Sequence, residues 1–178
     1  MKVLVPALAI VLAVTACTPT EPVRLGPDGK PLPQVYRISQ ADRARIQYRM
    51  LDAVNAVREA RGVRPLELDS RLNAAAATHA RDMAVQNRPW TFGSDGSSTL
   101  DRVSRAGYQG SVGAELIAET YETELEILAA WLEDPEKRET LLMPRLTDMG
   151  FAYYQEPNGK IWWSLITGSR ADQVASAF

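Results

Sequence analysis

An α+β domain is the fold class this sequence predicts, and three observations predict it. Apolar residues recur at helical spacing through the first half of the chain, aromatic and β-branched residues dominate its end, and Asn158-Gly159 marks a tight turn between the last two apolar runs. Helices first and strands last imply helices covering a small antiparallel sheet. No internal repeat interrupts this order.

The elements follow along the chain. Ser39, with Asp42 three residues on, is a variant capping box. From there Ile46, Met50, Val54, Val57 and Ala60 keep helical spacing until Gly62 stops the segment. Asp69 or Ser70 caps a second helix with Leu72, Ala76, His79, Ala80 and Met83 on one face, ending near Asn87 because Pro89 follows. Gly93-Ser94-Asp95-Gly96-Ser97 is a turn by composition, and Ser98 with Asp101 caps a short helix that stops at Gly107. A longer helix, 121–133, is expected to turn Leu125, Leu128, Ala129 and Leu132 inward. Glu119, Glu122, Glu124 and Glu126 are then its solvated side, favourable near a helix N-terminus. Asp134-Pro135-Glu136 reads as another helix start, with Asp134 as cap and Pro135 at the first position. Residues 149–155 and 160–167 are expected to be strands joined by Glu156-Pro157-Asn158-Gly159. Alternation puts Trp162 and Trp163 on opposite faces, with one of them partly exposed.

The first 38 residues have a different character. Lys2 precedes an apolar stretch from Val3 to Val14, and the small residues before Cys17, the one cysteine of the chain, suit a signal peptidase. This resembles the lipobox of bacterial lipoproteins, with Val14 where Leu is commoner. The resemblance implies that residues 1–16 are removed and that Cys17 becomes a lipidated N-terminus. A plain secretory signal with an incidental thiol is one alternative. A membrane-spanning helix is another, but the stretch falls short of the ~20 apolar residues a span needs. Five of the eleven prolines lie between Thr18 and Ile38, so residues 17–38 read as an extended tether, reaching at most about 65 Å in a polyproline-like state. The domain then covers 39–170, and 171–178 is a C-terminal tail.

Size and charge narrow the partners. The 162 residues left by processing suffice for one domain with a core. Twenty basic and 22 acidic residues, with His79 neutral, give a net charge of −2, against nucleic acid as a partner. With Cys17 unpaired, stability must come from packing and not from disulfides.

Asn55, Arg58, Gly62, Pro65-Leu66, Asp69, Leu72, His79-Ala80 and Met83 are followed in order by Gly93-Ser94-Asp95-Gly96-Ser97, Asp101-Arg102, Gly107-Tyr108 and Glu115-Leu116-Ile117. Trp131, Pro135, Arg138, Gly150 and Trp162-Trp163 complete the series. This series, from about Arg45 to Gly168, resembles the bacterial branch of the CAP family, the group of cysteine-rich secretory proteins, antigen 5 and pathogenesis-related proteins. The resemblance implies an α-β-α sandwich, secreted or surface-exposed, with a shallow cleft that in many members is lined by two histidines and two acids and can bind a divalent cation.

This chain departs from that pattern at the cleft. Thr91 stands where the first family histidine belongs and Lys137 where the second does. Glu115 matches the family glutamate, although Leu116 replaces the usual Asn, and Asp134 is the remaining candidate acid. Imidazole is the ordinary neutral metal ligand and proton carrier near pH 7, so its loss argues against a metal or cofactor here, and Lys137 would repel a cation or pair with Glu115 or Asp134. His79, the sole histidine, shares a stripe with Leu72, Ala76 and Met83 and reads as a buried residue bonded to backbone in preference to a catalytic base. Glu115 is placed in a loop before the long helix, where a cleft role and a structural role are equally open.

Two functions remain. One is a noncatalytic module on the bacterial cell envelope, binding a lipid, glycan or protein and anchored through acyl chains to the outer membrane, facing the periplasm. Thr18 lacks the Asp that retains lipoproteins at the inner membrane. The other is a hydrolase of peptide or cell-wall bonds with Glu115 as its base. No serine or cysteine pairs with a second histidine to form a nucleophilic dyad, and Gly110-Ser111-Val112-Gly113 is not a nucleophile elbow.

Overall fold

The computed structural model describes residues 36–170. The leader, Cys17, most of the tether and the 171–178 tail lie outside the described residues.

Helix α1, Asp42–Glu59, buries Ile46, Met50, Val54 and Arg58 at intervals of four. Val57 is only half-buried and Ala60 is exposed. The Ser39 hydroxyl does meet the Asp42 carboxylate, at 2.6 Å, but Ala41 occupies the cap position, so Ser39 stands two residues ahead of the cap and Asp42 is the first residue of the helix. Gly62 follows with φ +67°, which a residue without Cβ adopts freely. A two-residue strand, β1 (Glu67–Leu68), leads into α2 (Ser70–Gln86), whose Asp69 cap accepts from the amides of Arg71 and Leu72. Helix α2 closes on Asn87 in the left-handed conformation, φ 48°.

Helix α3 (Thr99–Arg105) opens with a full capping box between Ser98 and Asp101. Strand β2 (Ser111–Glu119) comes next, then α4 (Glu124–Glu133), capped by Thr123 with Glu126. Asp134 caps α5 (Pro135–Leu141), accepting from the amides of Glu136 and Lys137. Strands β3 (Asp148–Gln155) and β4 (Ile161–Ser169) form the expected hairpin, with Gly159 at φ +100°.

The sheet order is β1-β3-β4-β2. Strand β4 lies at its centre, antiparallel to both β3 and β2, while β1 adds a short parallel pairing to β3. A bulge between Val112 and Glu115 interrupts the β2 register.

Alternation along these strands sends side chains into two separate cores. Met149, Phe151, Ile161, Trp163, Leu165 and Leu116 pack with residues of α1, α4 and α5. Ala152 and Ile166 pack with Leu72, Ala75, Ala76 and Val103, and Trp162 packs with Ala80 and Met83 of α2. The result is an α-β-α sandwich. Trp162 and Trp163 do face opposite ways, but both faces are covered, so neither is exposed. Gly150 allows α2 to lie directly on β3: a Cβ there would come within 2.2 Å of the Leu72 carbonyl carbon and 2.3 Å of the Asn73 nitrogen.

Helix α4 corrects the predicted face. Ile127, Leu128 and Trp131 are buried, whereas Leu125 and Ala129 are exposed. Glu124, expected in solvent, is buried and pairs with Arg49 of α1 at 2.7 Å. Glu119 belongs to β2 and pairs with Lys160.

Candidate functional site

Glu115 lies in β2 opposite Ile166, not in a loop. Its parity matches that of Ile117, so its carboxylate enters the layer between the sheet and the α2–α3 pair. There its side chain is only 1% exposed. Oε2 accepts from Thr99 Oγ1 and from Arg102 Nη2, each at 2.6 Å, and Oε1 accepts from Ser164 Oγ at 2.8 Å.

Arg102 is the centre of this arrangement. Beyond Glu115 it donates through Nη1 to the Ser97 carbonyl at 2.8 Å and through Nη2 to the Thr91 carbonyl at 2.9 Å. One buried guanidinium thus joins β2, the Ser-Asp-Gly turn and the loop after α2. The turn is closed further by Asp82, which accepts from the Ser94 amide and hydroxyl. Asp95 accepts from the Ser97 amide and pairs with Arg105, contacts that hold its carboxyl well below the usual carboxylate range.

His79 borders the pair. Its Nε2 lies 2.9 Å from the Trp90 carbonyl and 4.0 Å from Glu115 Oε1. A carbonyl can only accept, so Nε2 carries the proton and Nδ1 has a free lone pair, which is buried without a hydrogen-bond partner. Burial, assisted by Arg102, pushes the imidazole pKa down against the opposing pull of Glu115. The ring is a neutral wedge tied to backbone.

The four candidate cleft residues do not converge. Thr91 is exposed and engages Arg102 through its carbonyl. Lys137 and Asp134 belong to α5 and its cap, and pair with each other at 2.7 Å. Helix α5 is packed on the opposite face of the sheet through Leu141. The Glu115 oxygens are already taken by Thr99, Arg102 and Ser164, and Lys137 pairs with its own cap Asp134 and not with Glu115. Asp134 does its capping work, and Lys137 screens it.

What Lys137 and Asp134 do line is a groove of about 420 Å³ along the edge of β2, with Ile117, Glu119, Tyr121 and Trp131. Glu119 reaches it in place of Glu115. Among the described residues no group of three or more His, Cys, Asp or Glu side chains could hold a metal ion. Arg102 is the residue that sequence reasoning passed over. Its signal was available: an arginine inside a short capped helix, next to a turn of small polar residues whose carbonyls need donors.

A profile of the CAP family, the cysteine-rich secretory protein family, matches residues 51–166. Over 124 residues the chain is 27% identical to the uncharacterized protein YkwD of Bacillus subtilis, covering 67% of this chain and 46% of that one. The chain thus spans about half the length of that relative. Among solved structures it resembles an outer surface protein of Borrelia burgdorferi, at 18% identity and a TM-score of 0.62 over 69% of this chain and 91% of the other. It also resembles an SCP-domain extracellular protein of Bacillus anthracis, at 19% identity and a TM-score of 0.66 over 75% and 44% of the two chains. These structures share its fold, and the profile covers well over half its length: the chain belongs to the CAP, or cysteine-rich secretory protein, family.

Proposed function

We propose that this protein is a noncatalytic binding module of the bacterial cell envelope, anchored through lipid on Cys17. The observation that carries the noncatalytic reading is the state of Glu115. A general base needs a lone pair within reach of a substrate proton. Both Glu115 oxygens are engaged by Thr99, Arg102 and Ser164, and the side chain is sealed from solvent. Its neighbour His79 offers no relay, because its protonated nitrogen is committed to the Trp90 carbonyl.

Binding would fall to the groove at the β2 edge, where Tyr121, Ile117 and Trp131 supply apolar wall and the Lys137–Asp134 and Lys160–Glu119 pairs supply polar rim. Such a lining suits a glycan, peptide or lipid headgroup held by contact and hydrogen bonds. A station outside the cytoplasm is supported by the leader pattern before Cys17 and by similarity to an extracellular and an outer surface protein. No helix among the described residues is long and apolar enough to cross a membrane.

The test is to incubate the full chain with purified cell-wall sacculi and with envelope lipid, measuring both retention and release of fragments. Retention without release is expected, reduced by Tyr121→Ala. Release of fragments that Glu115→Gln abolishes, with the unfolding midpoint unchanged, would overturn the reading in favour of the hydrolase. Fractionation of wild type against Cys17→Ser tests the anchor, and equal periplasmic solubility of the two would refute it.

A further inference from the structure

Side chains fix where the chain enters the domain. Gln155, the last residue of β3, holds the incoming backbone from both sides: Oε1 accepts from the Ile38 amide at 3.0 Å, and Nε2 donates to the Tyr36 carbonyl at 2.8 Å. Arg37 donates to the carbonyls of Glu156 and Pro157 in the β3–β4 turn. Tyr36, the first described residue, thus lies at the hairpin end of the domain.

That end also carries an apolar and cationic rim. Just past the turn, Lys160 Nζ reaches across to α2, lying 3.3 Å from Oδ1 of its C-cap, Asn87. Directly after Asn87, the Arg88 guanidinium lies 4.0 Å over the Trp90 ring, and Phe92 packs against Trp90 with centroids 5.4 Å apart. Gln86 holds this loop in place, accepting from Trp90 Nε1 at 2.8 Å and donating to the Phe92 carbonyl at 3.1 Å. Phe92 is 45% exposed and Val85, on the last turn of α2, 75%.

The charge here is unbalanced. Lys160 is neutralised by Glu119, whereas Glu156, bonded to the neutral indole of Trp162, keeps its charge and offsets one of the two arginines that remain. Arg37 and Arg88 have no carboxylate partner among the described residues.

We propose that this end of the domain, through Arg37, Arg88, Trp90, Phe92 and Val85, docks on the surface of an anionic phospholipid bilayer. The inference rests on the reading of Cys17 as a lipid anchor. Eighteen residues separate Cys17 from Tyr36, so the domain's point of entry is never more than about 65 Å from the acylated residue. That confinement raises the local concentration of bilayer at this end, so a contact too weak for a free protein becomes populated. The chemistry fits a headgroup layer. Tryptophan and phenylalanine partition to the interface, and guanidinium groups pair with lipid phosphate. Pro89, between Arg88 and Trp90, also lines the β2-edge groove, so a docked domain holds that groove at the lipid surface.

The test uses tryptophan emission from the full chain, because Trp131, Trp162 and Trp163 are buried and only Trp90 is placed to meet lipid. The processed, lipidated chain and unprocessed Cys17→Ser are mixed with phosphatidylethanolamine–phosphatidylglycerol vesicles containing brominated acyl chains. One tryptophan's share of the emission should be quenched in both, at much higher lipid concentration for Cys17→Ser. That share should vanish in Trp90→Phe and fall by at least about half in Arg37→Ala with Arg88→Glu, exposed changes that leave the loop folded. Quenching that is equal in neutral phosphatidylcholine vesicles, or absent from a lipidated chain that floats with its vesicles, would overturn the proposal. So would vesicle-free retention on sacculi that needs Arg88 and Trp90. If the processed chain does not float, the anchor reading fails, and the Cys17→Ser arm alone decides the docking.

Discussion

Replacing Arg102 by methionine removes the cation that pairs with the buried Glu115 carboxylate. The two side chains are 3% and 1% exposed, so solvent neither screens the pair nor replaces a lost partner. Stranding a buried charge in this way costs about 3–5 kcal/mol. Arg102 also donates to the carbonyls of Ser97 and Thr91. The Ser97 carbonyl keeps the Gly93 amide as a donor at 2.8 Å, and the Thr91 carbonyl sits on an exposed residue and can recruit water, so their losses add little. The expected loss is about 3–5 kcal/mol, a large part of the roughly 5–15 kcal/mol that stabilises a domain. Urea unfolding of the full chain, followed by circular dichroism, measures it. Glu115→Leu added to Arg102→Met should recover about 2–3 kcal/mol, since no charge is then left buried. Arg102→Lys is the milder variant, because one ammonium cannot serve the carboxylate and both carbonyls together. A loss below about 1 kcal/mol for Arg102→Met, or strict additivity in the double variant, would refute the argument that Glu115 is held for structure.

Three further outcomes are expected. Because burial lowers the His79 pKa, the unfolded chain takes up a proton near pH 6.5 that the folded chain resists, so stability present above about pH 6.5 falls as pH drops toward the folded value. As His79 is the sole histidine, His79→Gln should flatten the midpoint between about pH 7 and pH 5.5, and a flat wild-type profile would count against the buried neutral ring. Leu128→Ala should cost about 2–5 kcal/mol and Leu125→Ala under about 0.5 kcal/mol, with equal costs in urea ruling out the observed face of α4. Thr91→His with Lys137→His should create no saturable zinc site by calorimetry, since Glu115 is buried, held by Thr99, Arg102 and Ser164, and does not line the groove that holds Lys137; micromolar binding abolished by Glu115→Gln would show that the three do meet.

Local chemistry made much of the fold legible. Asp69, Ser98 with Asp101, and Asp134 each cap the helix they announce, and Asn158-Gly159 turns the hairpin it marks. Phase and partner were harder. The α4 sequence, Glu-Leu-Glu-Ile-Leu-Ala-Ala-Trp-Leu-Glu, is apolar on nearly every side, so the stripe through Leu125, Leu128 and Leu132 and the one through Ile127, Leu128 and Trp131 share the same spacing. Only the sheet and α1 decide between them. Strand β2 reads as a loop in the sequence because Gly113, Ala114, Glu115 and Ala118 have little strand preference, and pairing with β4 makes them a strand all the same. Missing the strand meant missing where Glu115 points: its importance could be read from the motif, but its orientation depends on alternation within β2.

Strand β2 is also one of the two borders of the sheet, and borders invite pairing with strands from other molecules. The opposite border is blunted by brevity, since β1 has two residues. Strand β2 has nine and needs other protection. Its bulge at Val112 and Glu115 breaks the regular hydrogen-bonding row, and the inward charge of Glu115 fixes its register through Arg102. A slip by one residue would carry that carboxylate into the apolar layer of α1 and α4, with the sheet between it and Arg102. A glutamate without a catalytic opening still has work here: it keeps this border from sliding, and so from serving as a template for aggregation.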